Sequence, residues 1–97
     1  MKNTQKVKLI SGCFTPEESR EILMNVFSSK IQFHHMKNFS SKERFGKEDK
    51  IAIKRIAQLK KSVEKFSKII TAAEEKNELL ELTSVVSIAF VKSKKSV

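Results

Sequence analysis

Apolar and polar residues alternate from Lys6 to Cys13, KVKLISGC, with Val7, Leu9 and Cys13 on one side and Lys6, Lys8 and Gly12 on the other. That is the two-residue period of a half-buried strand. Ile10 and Ser11 interrupt it, and Gly12 marks a bulge or a close backbone approach. The period then becomes helical. Thr15 is placed to cap a helix, Pro16 suits its first position, and Glu18 completes a capping box. Glu17, Glu18 and Glu21 fall at the positive end of the helix dipole. Ile22, Leu23, Val26, Phe27, Ile31 and then Phe33 or His34 form one apolar stripe, which predicts a helix from Pro16 to about Lys37.

Residues 38–47, NFSSKERFGK, read as the connection, with Gly46 at the turn. Ser40 and Glu43 have the spacing of a second capping box, which predicts a short helical turn here. A second helix is expected from about Glu48 to Asn77. In it Ala52, Ile56, Leu59, Val63, Phe66, Ile70 and Ala73 recur at alternating steps of four and three, a coiled-coil-like seam. Ile51, Ile53 and Ile69 widen the stripe. Glu74, Glu75, Glu78 and Glu81 crowd the C-terminal end, where the dipole disfavours acids, and the pattern alone gives no reason for them. Residues 80–91, LELTSVVSIAFV, read as a second strand by their β-branched content. Leu80, Leu82, Val86, Ile88 and Phe90 share one face. Thr83, Val85, Ser87, Ala89 and Val91 share the other, which is small and mildly apolar where a lone exposed strand would be charged. Residues 1–5 and 92–97 are expected to fray.

Strand, helix, helix, strand is an α+β order, with a long helical hairpin expected to pack on a small antiparallel sheet in a single domain spanning 1–97. Two strands alone are marginal in water, and both are edges. The pattern therefore predicts a homo-oligomer, most simply a dimer with a four-stranded sheet. The seam of the second helix offers a competing interface.

Composition narrows the partners. The chain has 97 residues, 39% of them hydrophobic, and 20 Lys plus Arg against 11 Asp plus Glu give a net charge of +9. Of that excess, +6 lies in residues 37–61. Such concentration favours anionic partners, while a solvated Lys-rich face accounts for it equally well. The one cysteine excludes an internal disulfide framework. No apolar run is long enough to span a membrane. The start MKNTQKVKLISG lacks the apolar core of a signal peptide, so the cytoplasm is the expected location.

Few residues nominate chemistry. His34 and His35 are adjacent and point about 100° apart on a helix, so they cannot share a metal as residues at i, i+4 do. One is expected against the apolar stripe and one in solvent, the alternative role being contact with phosphate. Cys13 precedes a helix N-terminus, which lowers a thiol pKa, but no neighbouring acid or base suggests activation and a small structural cysteine is the simpler reading. There is no Walker loop, no GxGxxG, no HExxH and no GxSxG. The expectation is a binding protein with no catalytic site, no metal and no cofactor.

The segment 37–61 is the candidate site. Ser40, Ser41, Lys42, Arg44 and Lys47 sit in the expected connector ahead of a helix N-terminus, where backbone N–H groups favour anions. Lys50, Lys54, Arg55, Lys60 and Lys61 extend the positive potential along the helix. Phe39 and Phe45 flank the connector, placed either to stack on a base or to close the end of the core. The expected ligand bears phosphate, as a nucleic acid or a nucleotide. The alternative is a homo-oligomeric protein-interaction module of accessory or inhibitor type, whose helical hairpin or sheet edge docks a partner and whose basic surface keeps it soluble.

The run FHHMKNFSSKERFG resembles a segment of short uncharacterised bacterial proteins with this order of elements. The likeness covers about residues 9–70. It implies a bacterial or phage cytoplasmic protein, and carries no known activity and no binding or catalytic residues.

Overall fold

The computed structural model describes residues 3–92. Four elements follow in the order β1 (Thr4–Phe14), α1 (Pro16–Phe45), α2 (Lys50–Lys76) and β2 (Leu80–Ala89). The chain is α+β, with β1 and β2 paired as a two-stranded antiparallel sheet and α1 and α2 forming a hairpin. The sheet and the helical hairpin are two separate compact units, divided near Cys13 and Leu80.

The helical hairpin begins as the capping box predicts. Thr15 Oγ1 accepts from Glu18 N at 3.0 Å, and Glu18 Oε1 accepts from Thr15 N at 2.9 Å. The first helix continues well past Lys37, to Phe45. The second capping box is not formed: Ser40 and Glu43 lie inside a continuous helix. Serines alone do not stop a helix already held by tertiary packing, and the first residue that does is Gly46. It takes the left-handed conformation, φ 69°, and its N–H donates to Lys42 O at 3.0 Å. The connection shrinks to residues 46–49, and α2 starts at Lys50 rather than Glu48.

At the far end Asn77 occupies the left-handed region at φ 57°, one residue beyond α2. Glu78 N donates to Ala73 O at 2.9 Å and Asn77 N to Glu74 O at 3.2 Å, the paired bonds of a Schellman stop.

The seam of α2 is used within the chain. Ala52, Ile56, Ile70 and Ala73 are buried, and Leu59, Val63 and Phe66 are half-buried. α1 supplies the other side. Phe27 meets Phe66 edge to face, with ring centroids 5.1 Å apart. This accounts for the seam without dimerisation through α2. It also explains one of the misplaced acids: Glu74, in the last turn of α2, holds Arg20 near the start of α1 through two bonds of 2.9 and 3.3 Å. The pairing fits two helices running antiparallel. The guanidinium bond lowers the Glu74 pKa and raises that of Arg20, each against a smaller opposing effect of desolvation. Two helices share one interface, so the core is thin, and Phe33, Met36 and Phe39 on α1 and Ile51, Ile53 and Ile69 on α2 remain exposed. Ser19 is completely buried, and its Oγ has no hydrogen-bond partner among the described residues.

In the sheet, β1 is longer than the alternation predicts, so Thr4 and Gln5 belong to a strand rather than a frayed end. Asn3 and Lys92 have no regular structure, and the rest of the expected frayed ends, 1–2 and 93–97, lies outside the described residues. The phase of β1 also differs. Val7, Leu9 and Cys13, expected half-buried, are exposed, whereas Ile10, Gly12 and Phe14 are half-buried. The Lys-Val-Lys-Leu alternation lies in the half of the strand where both faces are open. The bulky pair that finds cover is Ile10 and Phe14, in the other half. Cys13 is therefore no core cysteine. In β2, Leu80, Leu82 and Ser84 are half-buried, whereas Val85, Val86 and Ile88 are exposed. The strand ends at Ala89, leaving Phe90 and Val91 outside it and largely exposed.

Candidate functional site

Because α1 runs to Phe45, the expected site residues are distributed differently from the sequence expectation. Ser40, Ser41, Lys42 and Arg44 lie on the last turns of α1, where the dipole is negative, rather than in a loop before α2. Lys47 is in the connection, Lys50 opens α2, and Lys54 lies one turn further on.

The connection is closed by its own hydrogen bonds. Ser41 Oγ donates to Lys47 O at 2.9 Å, and Asp49 N donates to Asn38 Oδ1 at 2.7 Å. Asp49 caps α2, its Oδ1 accepting from Ala52 N at 3.0 Å. Lys42 Nζ stands 3.7 Å from Glu48 Oε2. A carboxylate therefore already occupies the helix N-terminus where an anion was expected. Ser40, Ser41 and Arg44 do come together around a hollow of about 220 Å³, shared with Lys37, Phe45 and the Asp49 acid. Lys42, Lys47, Lys50 and Lys54 do not line it.

A larger groove, about 480 Å³, opens between the two helices. Lys30 and His34, one turn apart on α1, face Arg55, Gln58 and Ser62 on α2, with Leu59 as the apolar member of the lining. His34 is half-buried and its neighbour His35 exposed, the division expected of an adjacent pair. The ring of Phe33 stands edge-on to His34 with centroids 5.2 Å apart. Lys30 Nζ and Lys37 Nζ lie 5.2 and 5.8 Å from the Phe33 centroid, within cation–π range. Partial burial first, then the charges of Lys30, Arg55 and Lys37, hold the His34 imidazole below its ordinary pKa, and Asp49 alone opposes them. Among the described residues neither Lys30 nor Arg55 is in an ion pair.

Sequence reasoning did not assemble this groove. The spacings Lys30–His34 and Arg55–Ser62 each mark one helix face, but which face meets which is set by the packing of α1 on α2. Among the described residues no cluster of three or more His, Cys, Asp or Glu is arranged to hold a metal ion, and no helix is long and apolar enough to cross a membrane.

The third surface is the sheet. Among the described residues it has two strands, so β1 and β2 each present one unpaired edge. β1 carries Lys6 and Lys8, whereas Leu82 to Ala89 of β2 carries no charged residue at all.

Compared with family models, with curated proteins and with solved structures, the chain matches none.

Proposed function

We propose that the chain is a self-associating interaction module, in which β2 of a second copy pairs with β2 and completes a four-stranded sheet. One observation carries this reading: Val85, Val86 and Ile88 are 40–54% exposed on a strand whose outer edge is open and uncharged from Leu82 to Ala89. Exposed apolar strand edges of this kind are what soluble proteins otherwise avoid. An antiparallel pair about a twofold axis sets the same segment against itself, so no like charges meet along Leu82–Ala89. The β1 edge is the poorer choice, since self-pairing there brings Lys6 and Lys8 towards their own copies. The seam of α2 is the poorer choice as well, being covered by α1. In this reading the Lys residues around the connection chiefly keep the assembly soluble, since the α2 amide that an anion would seek is engaged by Asp49.

Light scattering at micromolar concentration tests it. The wild type is expected at twice the 11.1 kDa chain mass. Val86→Lys and Ile88→Lys are expected at the single-chain mass with the helical circular dichroism unchanged, since both positions are exposed in the single chain. A wild type that stays at the single-chain mass, or a Val86→Lys protein that still doubles, refutes the proposal.

A further inference from the structure

The groove between the helices is independent of the sheet and of any self-association. α2 carries eight basic residues against three acids, Glu64, Glu74 and Glu75, and none of these acids lines the groove, so Lys30, Arg55 and the nearby Lys37 surround one imidazole with a single carboxylate, Asp49, against them. A cluster of cations left without counter-charges is costly by itself and is relieved by an anion.

The side chains also differ in what they offer. Arg55 presents a planar fork suited to two oxygens of a tetrahedral anion, and Lys30 a point charge. His34 adds a donor that gains a second N–H on protonation. Ser62 Oγ donates to Gln58 O at 3.2 Å, so its oxygen is free to accept. The Gln58 amide stands beside it as donor and acceptor for a hydroxyl on the ligand. At about 480 Å³ the groove is of small-molecule size. Lys30, His34 and Arg55 line one groove, and a single bounded groove suits one phosphate group better than a polymer backbone.

We infer that the groove formed by Lys30 and His34 of α1 and Arg55 of α2 binds a phosphate dianion, free or carried by a small monoester. Arg55 grips two of its oxygens, Lys30 neutralises the second charge, and His34 donates the remaining hydrogen bond. Binding places negative charge beside an imidazole otherwise surrounded by Lys30, Lys37 and Arg55. It therefore raises the His34 pKa. Affinity reckoned per dianion, with the ligand's own second ionisation at about pH 6 allowed for, thus falls as pH rises from the His34 pKa of the free protein to that of the complex.

Proton NMR of the two imidazoles reads this directly, with the exposed His35 as internal reference. The protein is titrated with inorganic phosphate, a sugar monophosphate and a nucleoside monophosphate at constant ionic strength. The expected result is a saturable shift of the His34 Hε1 resonance, a raised His34 pKa in the complex and little change at His35. Tighter binding of a monoester than of inorganic phosphate identifies the carried group as the ligand; equal binding identifies free phosphate. Arg55→Gln is expected to weaken binding at least about tenfold, as loss of a charge-assisted hydrogen bond implies, and His34→Gln to leave only the pH dependence of the ligand's own second ionisation. Lys65→Gln, the same loss of charge on α2 outside the groove, is expected to change affinity less than about twofold, in keeping with a screened surface charge. Equal weakening by Arg55→Gln and Lys65→Gln, His35 moving together with His34, or an oligonucleotide that binds every variant alike overturns the inference.

Discussion

Asp49 joins the stability of the helical hairpin to the electrostatics of the groove, and two substitutions separate those roles. Its Oδ1 accepts from Ala52 N at 3.0 Å, and it is the one group that raises the His34 pKa against the surrounding cations. Asp49→Ala removes both effects. The loss of an N-cap acceptor costs about 1 kcal/mol, within a range of about 0.5–2. For a domain of this size that lowers Tm by roughly 4–8 °C per kcal/mol. Asp49→Asn keeps an oxygen in the same place and caps about as well, so it is expected within a few tenths of a kcal/mol of wild type. Both substitutions remove the charge, so both are expected to lower the His34 pKa further. The bond from Asp49 N to Asn38 Oδ1 is made by backbone and survives in each. Urea denaturation at fixed protein concentration gives the stabilities, and the pH titration of His34 Hε1 gives the pKa shift. The reasoning fails if Asp49→Asn destabilises as much as Asp49→Ala, or if the His34 midpoint rises in either protein.

Two further predictions concern the helical hairpin. Ser19→Ala removes a fully buried hydroxyl with no hydrogen-bond partner and adds a better helix former, so it is expected to stabilise by about 1 kcal/mol in denaturant titration; a loss of stability shows that the hydroxyl is satisfied. The Glu74 pKa is lowered in the folded chain, so its contribution to stability is complete above the ordinary value of 4.5 and is lost as pH falls through the folded value. Glu74→Gln is therefore expected to flatten the stability profile below pH 4.5, and an unchanged acid limb counts against the Arg20 pairing.

The elements whose signals are local were legible in the sequence. Thr15 and Glu18 announce the start of α1, and the alternating steps from Ala52 to Ala73 define the buried face of α2. The end of α1 was not legible, because Ser40 and Glu43 have the spacing of a start signal while packing carries the helix on to Gly46. The phase of β1 misled for a related reason. Lys6 to Leu9 alternate cleanly, but cover is found by Ile10 and Phe14 in the other half of the strand. At the candidate site, the basic residues of 37–61 were evident, and so was the split of the histidine pair into one half-buried and one exposed member. That Arg55 faces Lys30 and His34, whereas Lys50 and Lys54 lie elsewhere, depends on how two distant segments pack. No spacing within either helix encodes it.

The pairing of the first strand with the last has a consequence for the chain as it is made. β1 leaves the ribosome before its partner exists, and it waits while residues 15–79 are added. At about 5–20 residues per second that wait is roughly 3–13 s. The helical hairpin, built from contacts close in sequence, forms far faster than this. During the interval β1 is a nascent strand with Val7 and Leu9 exposed and both edges unpaired, the kind of segment that recruits neighbouring chains into aggregates. Lys6 and Lys8 fall among those residues as gatekeepers. The same two charges that disfavour the β1 edge in the proposed dimer protect β1 through its interval alone.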